Sequence, residues 1–333
     1  MYLEVIEPGI LTTVQDHGRF GYQASGFSVS GCMDTKALYE ANILVNNPVD
    51  EGILEMLYIG GTFRFTCSTY IVLTGADMQP ILNGTPIDSY KAVKVNTGDV
   101  LQCQVAKQGR YGYLAIAGGI QIPLVLGSKS TNLKCGIGGF EGRKLAAGDL
   151  IPINRETHFL RNAYLKEISV PKYTSEVVLR VVPGPQYDYF TPIGIQTFGK
   201  ETYMVTDESD RMGYRLDGPK IEYHDQVDII SDAIVFGSIQ IPAKGTPMIV
   251  LADRQTTGGY AKIGTVITPD LPSLVQCMPG ARIRFSMISA REAVQIRRRE
   301  AKERRRLQRA TGYCEGNVIF VKRMVKHAEL KLV

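Results

Sequence analysis

The stretch 61–74, GTFRFTCSTYIVLT, decides the fold class. Aromatic and β-branched residues stand in near alternation along it, the period of a half-buried strand rather than of a helix. Similar runs follow at 100–105 (VLQCQV), 111–117 (YGYLAIA), 177–182 (VVLRVV), 226–230 (QVDII), 248–252 (MIVLA) and 282–286 (RIRFS). Turn chemistry lies between them: Asn83-Gly84, Thr97-Gly98-Asp99, Ala147-Gly148-Asp149, Lys244-Gly245-Thr246 and Pro279-Gly280. Short strands with such turns at close intervals predict a mainly β sandwich or barrel, not a doubly wound parallel sheet. "NGTPI" (83–87) echoes "KGTPM" (244–248), and "TGDVLQC" (97–103) echoes "PGARIRF" (279–285). The offset is not constant, so the echo predicts two related β modules and not a tandem array. The boundary is expected near 155–175, where patterning loosens into a linker. Residues 1–160 form the first module and 175–287 the second.

Two helices are expected. In 34–45, Ala37, Ala41, Leu44 and Val45 fall at helical spacing, Ser30 or Asp34 is available as a cap, and Asn47-Pro48 stops it. The segment 289–309, SAREAVQIRRREAKERRRLQR, is rich in helix formers, with Ala290, Val294 and Ile296 as a thin apolar seam. It opens a basic helical tail, 288–333.

The 333 residues carry a formal charge of +5. Residues 288–309 hold nine Lys/Arg and three Asp/Glu, and 310–333 four and two, leaving −3 for 1–287. The basicity therefore belongs to the tail, the body has no basic stripe, and nucleic acid is not expected as a partner. With hydrophobics at 44% and charged residues at 21%, the chain is globular rather than disordered. No run approaches a membrane span. The opening Met1-Tyr2-Leu3-Glu4 has neither the basic patch nor the apolar stretch of a signal peptide, so a cytoplasmic protein is expected. Six cysteines (32, 67, 103, 135, 277, 314) form no C-x-x-C pair and none sits at zinc spacing with the four histidines (17, 158, 224, 327). No metal site is expected, and most of the cysteines are read as small core residues.

Three segments carry polar chemistry. Residues 8–46 place four glycines between positions 9 and 26, with Asp16, Arg19, Tyr22, Ser25, Ser28, Ser30 and Asp34 among or just after them. Such a segment lets backbone approach a ligand closely; an ordinary loop with an Asp16–Arg19 ion pair is the competing reading. Residues 204–219 crowd Arg211 and Arg215 among carboxylates, and forked guanidinium donors suit a carboxylate or phosphate. Residues 251–260 end an apolar strand with Asp253 and Arg254, followed by Gln255, Thr256, Thr257 and two glycines. No phosphate-loop motif, nucleophile elbow or H-E-x-x-H is present. "GIGGFEGRK" (136–144) has the wrong spacing, and "GSKST" (127–131) is a weak signal for a nucleophilic serine.

Residues 9–47, GILTTVQDHGRFGYQASGFSVSGCMDTKALYEANILVNN, closely resemble the opening of the KipA-type, biotin-dependent carboxyltransferase-like family. That family includes the C-subunit of bacterial ATP-dependent 5-oxoprolinase, proteins labelled allophanate hydrolase subunit 2 and the carboxyltransferase region of urea carboxylase. The resemblance continues through "LTGAD" (73–77), "YLAIAGGI" (113–120), "LGSKST" (126–131), "GGFEGRKLAAGD" (138–149), "SDRMGYRLDGP" (209–219), "GSIQIPAKGTPMIVLADRQTTGGYAKIGTVI" (237–267) and "PGARIRF" (279–285). It covers about 1–287; the tail lies beyond it.

The resemblance implies two cyclophilin-like β-barrel domains with a few helices. It implies a partner, the KipI-type B-subunit, joined in the oxoprolinase assembly by an A-subunit. The implied reaction is ATP-dependent opening of 5-oxo-L-proline to L-glutamate, with this chain a hydrolase component inactive alone. The alternatives are a carboxyltransferase component moving CO2 from carboxybiotin, on a separate carrier, to urea or a related amide, and a regulatory partner of a KipI-type kinase inhibitor. Asp16, Arg19, Arg211 and Asp253 are the candidate catalytic residues. Tyr22, Ser30, Asp34, Asp77, Arg215, Arg254, Gln255 and Thr256 are the candidate substrate-binding residues. Arg211 or Arg215 is expected to hold the substrate carboxylate or a phosphate, with Asp16 or Asp253 moving a proton or holding an arginine.

Overall fold

The computed structural model describes residues 1–154, 167–224 and 228–311. His158, Cys314, His327, most of the expected linker and the end of the tail lie outside the described residues.

The amino-terminal half is built from two sheets. One has six strands, in the order Leu150–Pro152, Tyr2–Glu7, Thr62–Phe65, Val100–Gln102, Ile81–Leu82, Thr85–Pro86. The other has five: Leu11–Gln15, Ile53–Leu57, Gln108–Ile116, Thr69–Asp77, Val93–Val95. Inward residues of both sheets, among them Leu3, Val5, Leu54, Met56, Phe63, Phe65, Leu73 and Leu114, close one apolar core. The deciding stretch 61–74 contains two strands, not one. The chain turns at 66–68, where the amide and the hydroxyl of Thr66 both donate to Tyr2 O.

The carboxy-terminal half is a closed seven-stranded barrel: Glu176–Pro183, Lys262–Val266, Ser238–Gln240, Met248–Val250, Gly213–Asp217, Tyr203–Val205, Arg282–Met287. Closure comes from the parallel pairing of the first and last strands, with Glu176 opposite Arg282 and Val181 opposite Met287. Closing the ring removes sheet edges. A two-stranded ribbon, Asp228–Ala233 with Thr257–Tyr260, stands beside it. The turn glycines 84, 98, 148, 245 and 280 all have positive φ, so turn chemistry read from the chain marks real turns.

Among the described residues, four α-helices complete the fold. α1 is Thr35–Leu44, capped by Asp34 Oδ1, which accepts from Lys36 N and Ala37 N. α2, Pro192–Lys200, adds to the two helices expected; Thr191 caps it and proline opens it. α3 is Leu271–Val275. α4, Ala290–Ala310, starts with a full capping box between Ser289 and Glu292. Its less exposed stripe is Ala293, Ile296, Glu300, Arg304 and Leu307, whereas Ala290 and Val294 face solvent. The apolar seam expected for the tail is thus shifted, because α4 rests on α1 through polar contacts. Arg304 stacks over the Tyr39 ring at 4.9 Å, and Tyr39 Oη donates to Arg304 O at 3.0 Å.

The two halves share a core. One apolar cluster runs from Cys32, Met33, α1, Tyr111 and Tyr113 into Leu179, Val181, Tyr214, Leu274 and Val275. Gln276 fastens this seam. Its Oε1 accepts from Arg110 N and Tyr111 N, and its Nε2 donates to Asp34 Oδ2 and Tyr111 O.

Candidate functional site

Arg211 sits inside a tight turn in which Asp210 Oδ1 accepts from Met212 N and Gly213 N. Its side chain is buried at the seam. Nε and Nη2 form a fork on Asp253 at 2.7 and 3.1 Å, Nη1 donates to Glu55, and Nη2 also reaches Gly31 O at 2.8 Å. Glu55 comes from the strand Ile53–Leu57 of the first half and also accepts from Met33 N. Burial disfavours the Arg211 charge, but the Asp253 and Glu55 carboxylates more than offset it and hold the guanidinium protonated. Burial pushes the Glu55 carboxyl up, against the pull of Arg211. Two carboxylates and one guanidinium thus tie three chain segments together through charge-assisted bonds.

Asp16 and Arg19 do not hydrogen-bond to each other. The Asp16 carboxylate accepts from Gly18 N, Ser128 Oγ, Lys129 N and Ser130 Oγ. The serines of "GSKST" are therefore donors that hold Asp16, and Lys129 pairs with Glu51. Arg19 is fully buried; Nη2 donates to Ser130 O, while Nε and Nη1 have no partner among the described residues. Burial pulls its pKa down, and the fields of Asp16 and Asp253 only partly restore it. Gly138 is required here, since a Cβ on it would lie 2.1 Å from Ser130 O and 2.5 Å from Arg19 Nη2. Two more glycines of 136–144 pack against their own chain, Gly139 on Thr131 and Gly142 on Gly136 O, whereas Gly136 has open space beside it. Their spacing reflects close backbone approach.

On the other side of the same segments is an open cleft of about 240 Å³. Consecutive residues face opposite ways: Arg211 and Asp253 into the seam, Met212 and Arg254 onto the cleft. Arg254 is buried, with Nε and Nη1 on the carbonyls of Ile234 and Leu251 at 3.3 Å each. Burial lowers its pKa to about 10, and Asp253 opposes that shift. Ser28 Oγ donates to Arg254 O at 2.7 Å, so the glycine-spaced loop of the first half touches the cleft's own strand end. Arg215 and Gln255 line the cleft from exposed positions, and Arg215 lies 3.5 Å from Glu208.

Of the expected site residues, the structure brings Asp16, Arg19, Arg211 and Asp253 to the seam. Arg254, Arg215 and Gln255 line the cleft beside it, and Thr256 follows, its carbonyl accepting from Ile234 N. Ser30 is buried, accepting from Asn132 Nδ2. Tyr22 is exposed. Asp34 is the α1 cap and a partner of Gln276, and burial pushes its carboxyl up. Asp77 lines a separate groove of about 470 Å³ with Gln79, Asp88 and Gln104. Glu55 and Gln276 join the network without having been candidates. Their one signal in the sequence is a polar side chain inside an apolar run, ILEML and SLVQCM. Among the described residues no group of His, Cys, Asp and Glu is arranged to hold a metal. No described helix is long and apolar enough to cross a membrane.

A mainly β chain whose two halves meet on a buried guanidinium–carboxylate network, beside a small cleft, belongs to a known class. Residues 25–287 match the family described as carboxyltransferase domain, subdomain A and B, and the chain belongs to that family. Among curated relatives it is 37% identical over 297 residues to the C-subunit of 5-oxoprolinase from Haemophilus influenzae, covering 89% of this chain and 94% of that protein. It is 35% identical to the C-subunit of 5-oxoprolinase from Escherichia coli, with the same coverage. Among solved structures it superposes on the urea carboxylase of Kluyveromyces lactis with a TM-score of 0.85 and 27% identity. That match covers 92% of this chain and 29% of the other, so the chain spans less than a third of the larger protein.

Proposed function

We propose that this chain is the C-subunit of an ATP-dependent 5-oxoprolinase, acting with a KipI-type B-subunit plus an A-subunit to open 5-oxo-L-proline to L-glutamate. The observation that carries the reading is identity of 35–37% to two proteins of that name across nearly their whole length. In this reading 1–160 and 175–287 are the two domains and the reaction takes place where they abut.

The chemistry suits the groups present. A lactam carbonyl is a poor electrophile, and phosphorylation of its oxygen would turn that oxygen into a leaving group. Water attack then needs donors where oxygen charge develops and a group to hold the substrate carboxylate. Arg254, at the cleft and with no carboxylate hydrogen-bonded to it among the described residues, is the substrate-holding residue in this reading. Arg211, tied to Asp253, Glu55 and Gly31, acts as a positioning residue that fixes the 253–256 segment against the first half. Arg19 and Asp16 hold the glycine-spaced loop over the same seam. ATP is a co-substrate of the assembled complex. Gly138, Gly139 and Gly142 are packed against their own chain, and we assign the nucleotide to another component of the complex.

The test is reconstitution. Purified chain mixed with the A and B components should release glutamate from 5-oxo-L-proline in the presence of ATP, and those two components without it should not. A stable three-part complex that makes no glutamate would overturn the reading.

A second reading is favoured by the superposition on urea carboxylase: a carboxyltransferase component for urea or a related amide. A carboxybiotin arm on another polypeptide would supply the activated carboxyl group, and Arg254 and Gln255 would face its ureido ring. Substrate-dependent discharge of carboxybiotin by this chain would favour it over the first.

A further inference from the structure

Helix α4 lies beyond residues 25–287, which match the family, and it presents a face of one sign. Arg291, Arg298, Lys302, Arg305 and Arg309 are all exposed, and spacings of seven, four, three and four residues put them on one side of the helix. That side is opposite the less exposed stripe through Glu300 and Arg304. None of the five has a carboxylate three or four residues away in sequence, where a helical ion pair would form. Lys302 has four like charges at those distances, Arg298, Arg299, Arg305 and Arg306. The helix's two ion pairs among the described residues, Arg297–Glu300 and Arg304–Glu300, involve none of the five. Like charges at such spacings weaken a helix, so the face is not explained by the stability of α4.

We propose that the outer face of α4 binds the phosphate backbone of a nucleic-acid duplex without reading its sequence. The composition of the face selects this partner. Val294 is the one large apolar side chain that α4 exposes, and it lies off the basic row. A helix that beds into a membrane needs an apolar face, and a stable protein interface needs an apolar or aromatic centre; this face has neither. It also has no aromatic ring on which the bases of a single strand could stack. Phosphate binding needs only basic groups, and guanidinium forks suit phosphate oxygens. The five charges extend over about 27 Å, at 1.5 Å per residue, long enough to follow several phosphates of a duplex. Gln295 is the one uncharged polar side chain among them, so little is available for base edges. The body's charge gives no reason to expect nucleic acid, and the proposal concerns α4 alone. It does not depend on the 5-oxoprolinase reading.

The experiment is fluorescence anisotropy of the full chain with labelled RNA and DNA duplexes of about 20 base pairs, each in two unrelated sequences, over a range of salt. Five phosphate contacts predict a slope of about −4 to −5 in log affinity against log salt, a loss of roughly 500-fold between about 50 and 200 mM. The two sequences should bind alike. Binding of either kind of duplex supports the proposal, and the tighter one identifies the nucleic acid. Replacing three of the five charges, by Arg298→Gln, Lys302→Gln and Arg305→Gln together, should lower the slope by about three. Should that variant fail to fold, Arg291→Gln with Arg309→Gln, at the two ends of the row, should lower it by about two. No binding to either duplex, a slope near zero, a slope that survives the substitutions, or a preference of tenfold or more between the two sequences overturns the proposal. So does equal or tighter binding to a single strand, to poly-L-glutamate or to phosphatidylserine vesicles. The last two results would assign the face to an acidic protein or to a membrane.

Discussion

Arg19 and Arg211 are both buried at the seam, and they differ in their partners. Arg211 has two carboxylates and a carbonyl; removing it strands Glu55 and Asp253. Breaking a buried pair from one side costs about 3–5 kcal/mol. We therefore expect Arg211→Ala to lose stability of that order in urea unfolding; an unchanged midpoint would show that the network is not formed in solution. Arg19 has one carbonyl and, among the described residues, two unpartnered nitrogens. Its charge is held at a cost, which is the mark of a residue kept for function rather than stability. Arg19→Met is expected to leave stability within about 1 kcal/mol of wild type or raise it, while abolishing glutamate release by the assembled complex. A variant that loses stability but keeps turnover would reverse that assignment. These differences are not legible in the sequence. Arg19, Arg211 and Arg254 look alike there, and only the non-local partners separate the tied residue from the two that are not.

The elements are more legible than the residues. Alternation marks the long strands and glycine turns mark their ends, because both signals are local. The turn at 66–68 leaves no such mark, since Thr66-Cys67-Ser68 contains no Gly, Pro or Asn. Helix α2 is nearly as silent. Ile, Thr and two glycines are poor helix formers, and its cap and opening proline are the available clues. The packing of α4 on α1 has a testable electrostatic consequence. Glu40, buried on α1, has its carboxyl raised to about 7 from 4.5, chiefly by burial, with Lys36 and Arg304 opposing. The folded state therefore holds a proton that the unfolded state releases between those values. Its contribution to stability is fully present below about pH 4.5 and is lost as pH rises through about 7. Glu40→Gln should come close to wild type at pH 5 and exceed it by roughly 2–3 kcal/mol at pH 8. Urea titrations at the two pH values check this, and parallel wild-type and variant profiles would count against it.

The whole molecule is two β units with one shared core, and the strand pattern with its weak internal echo anticipates the class. What it does not anticipate is how much of the seam is polar: Glu55, Gln276, Asp34, Arg110 and Arg211 all carry hydrogen bonds across it. A seam of that kind makes the halves unfold together, so calorimetry should give one transition; two well-separated peaks would mean the seam adds little. The glycine-spaced loop of one half and the Asp253–Arg254 turn of the other meet on that seam, and the proposed reaction depends on the meeting. The kcat/KM of the assembled complex for 5-oxo-L-proline, wild type against Arg254→Ala, tests this most directly. We expect a fall of about 10- to 100-fold, the worth of one charged hydrogen bond, with the KM for ATP unchanged. Equal kcat/KM values would contradict it.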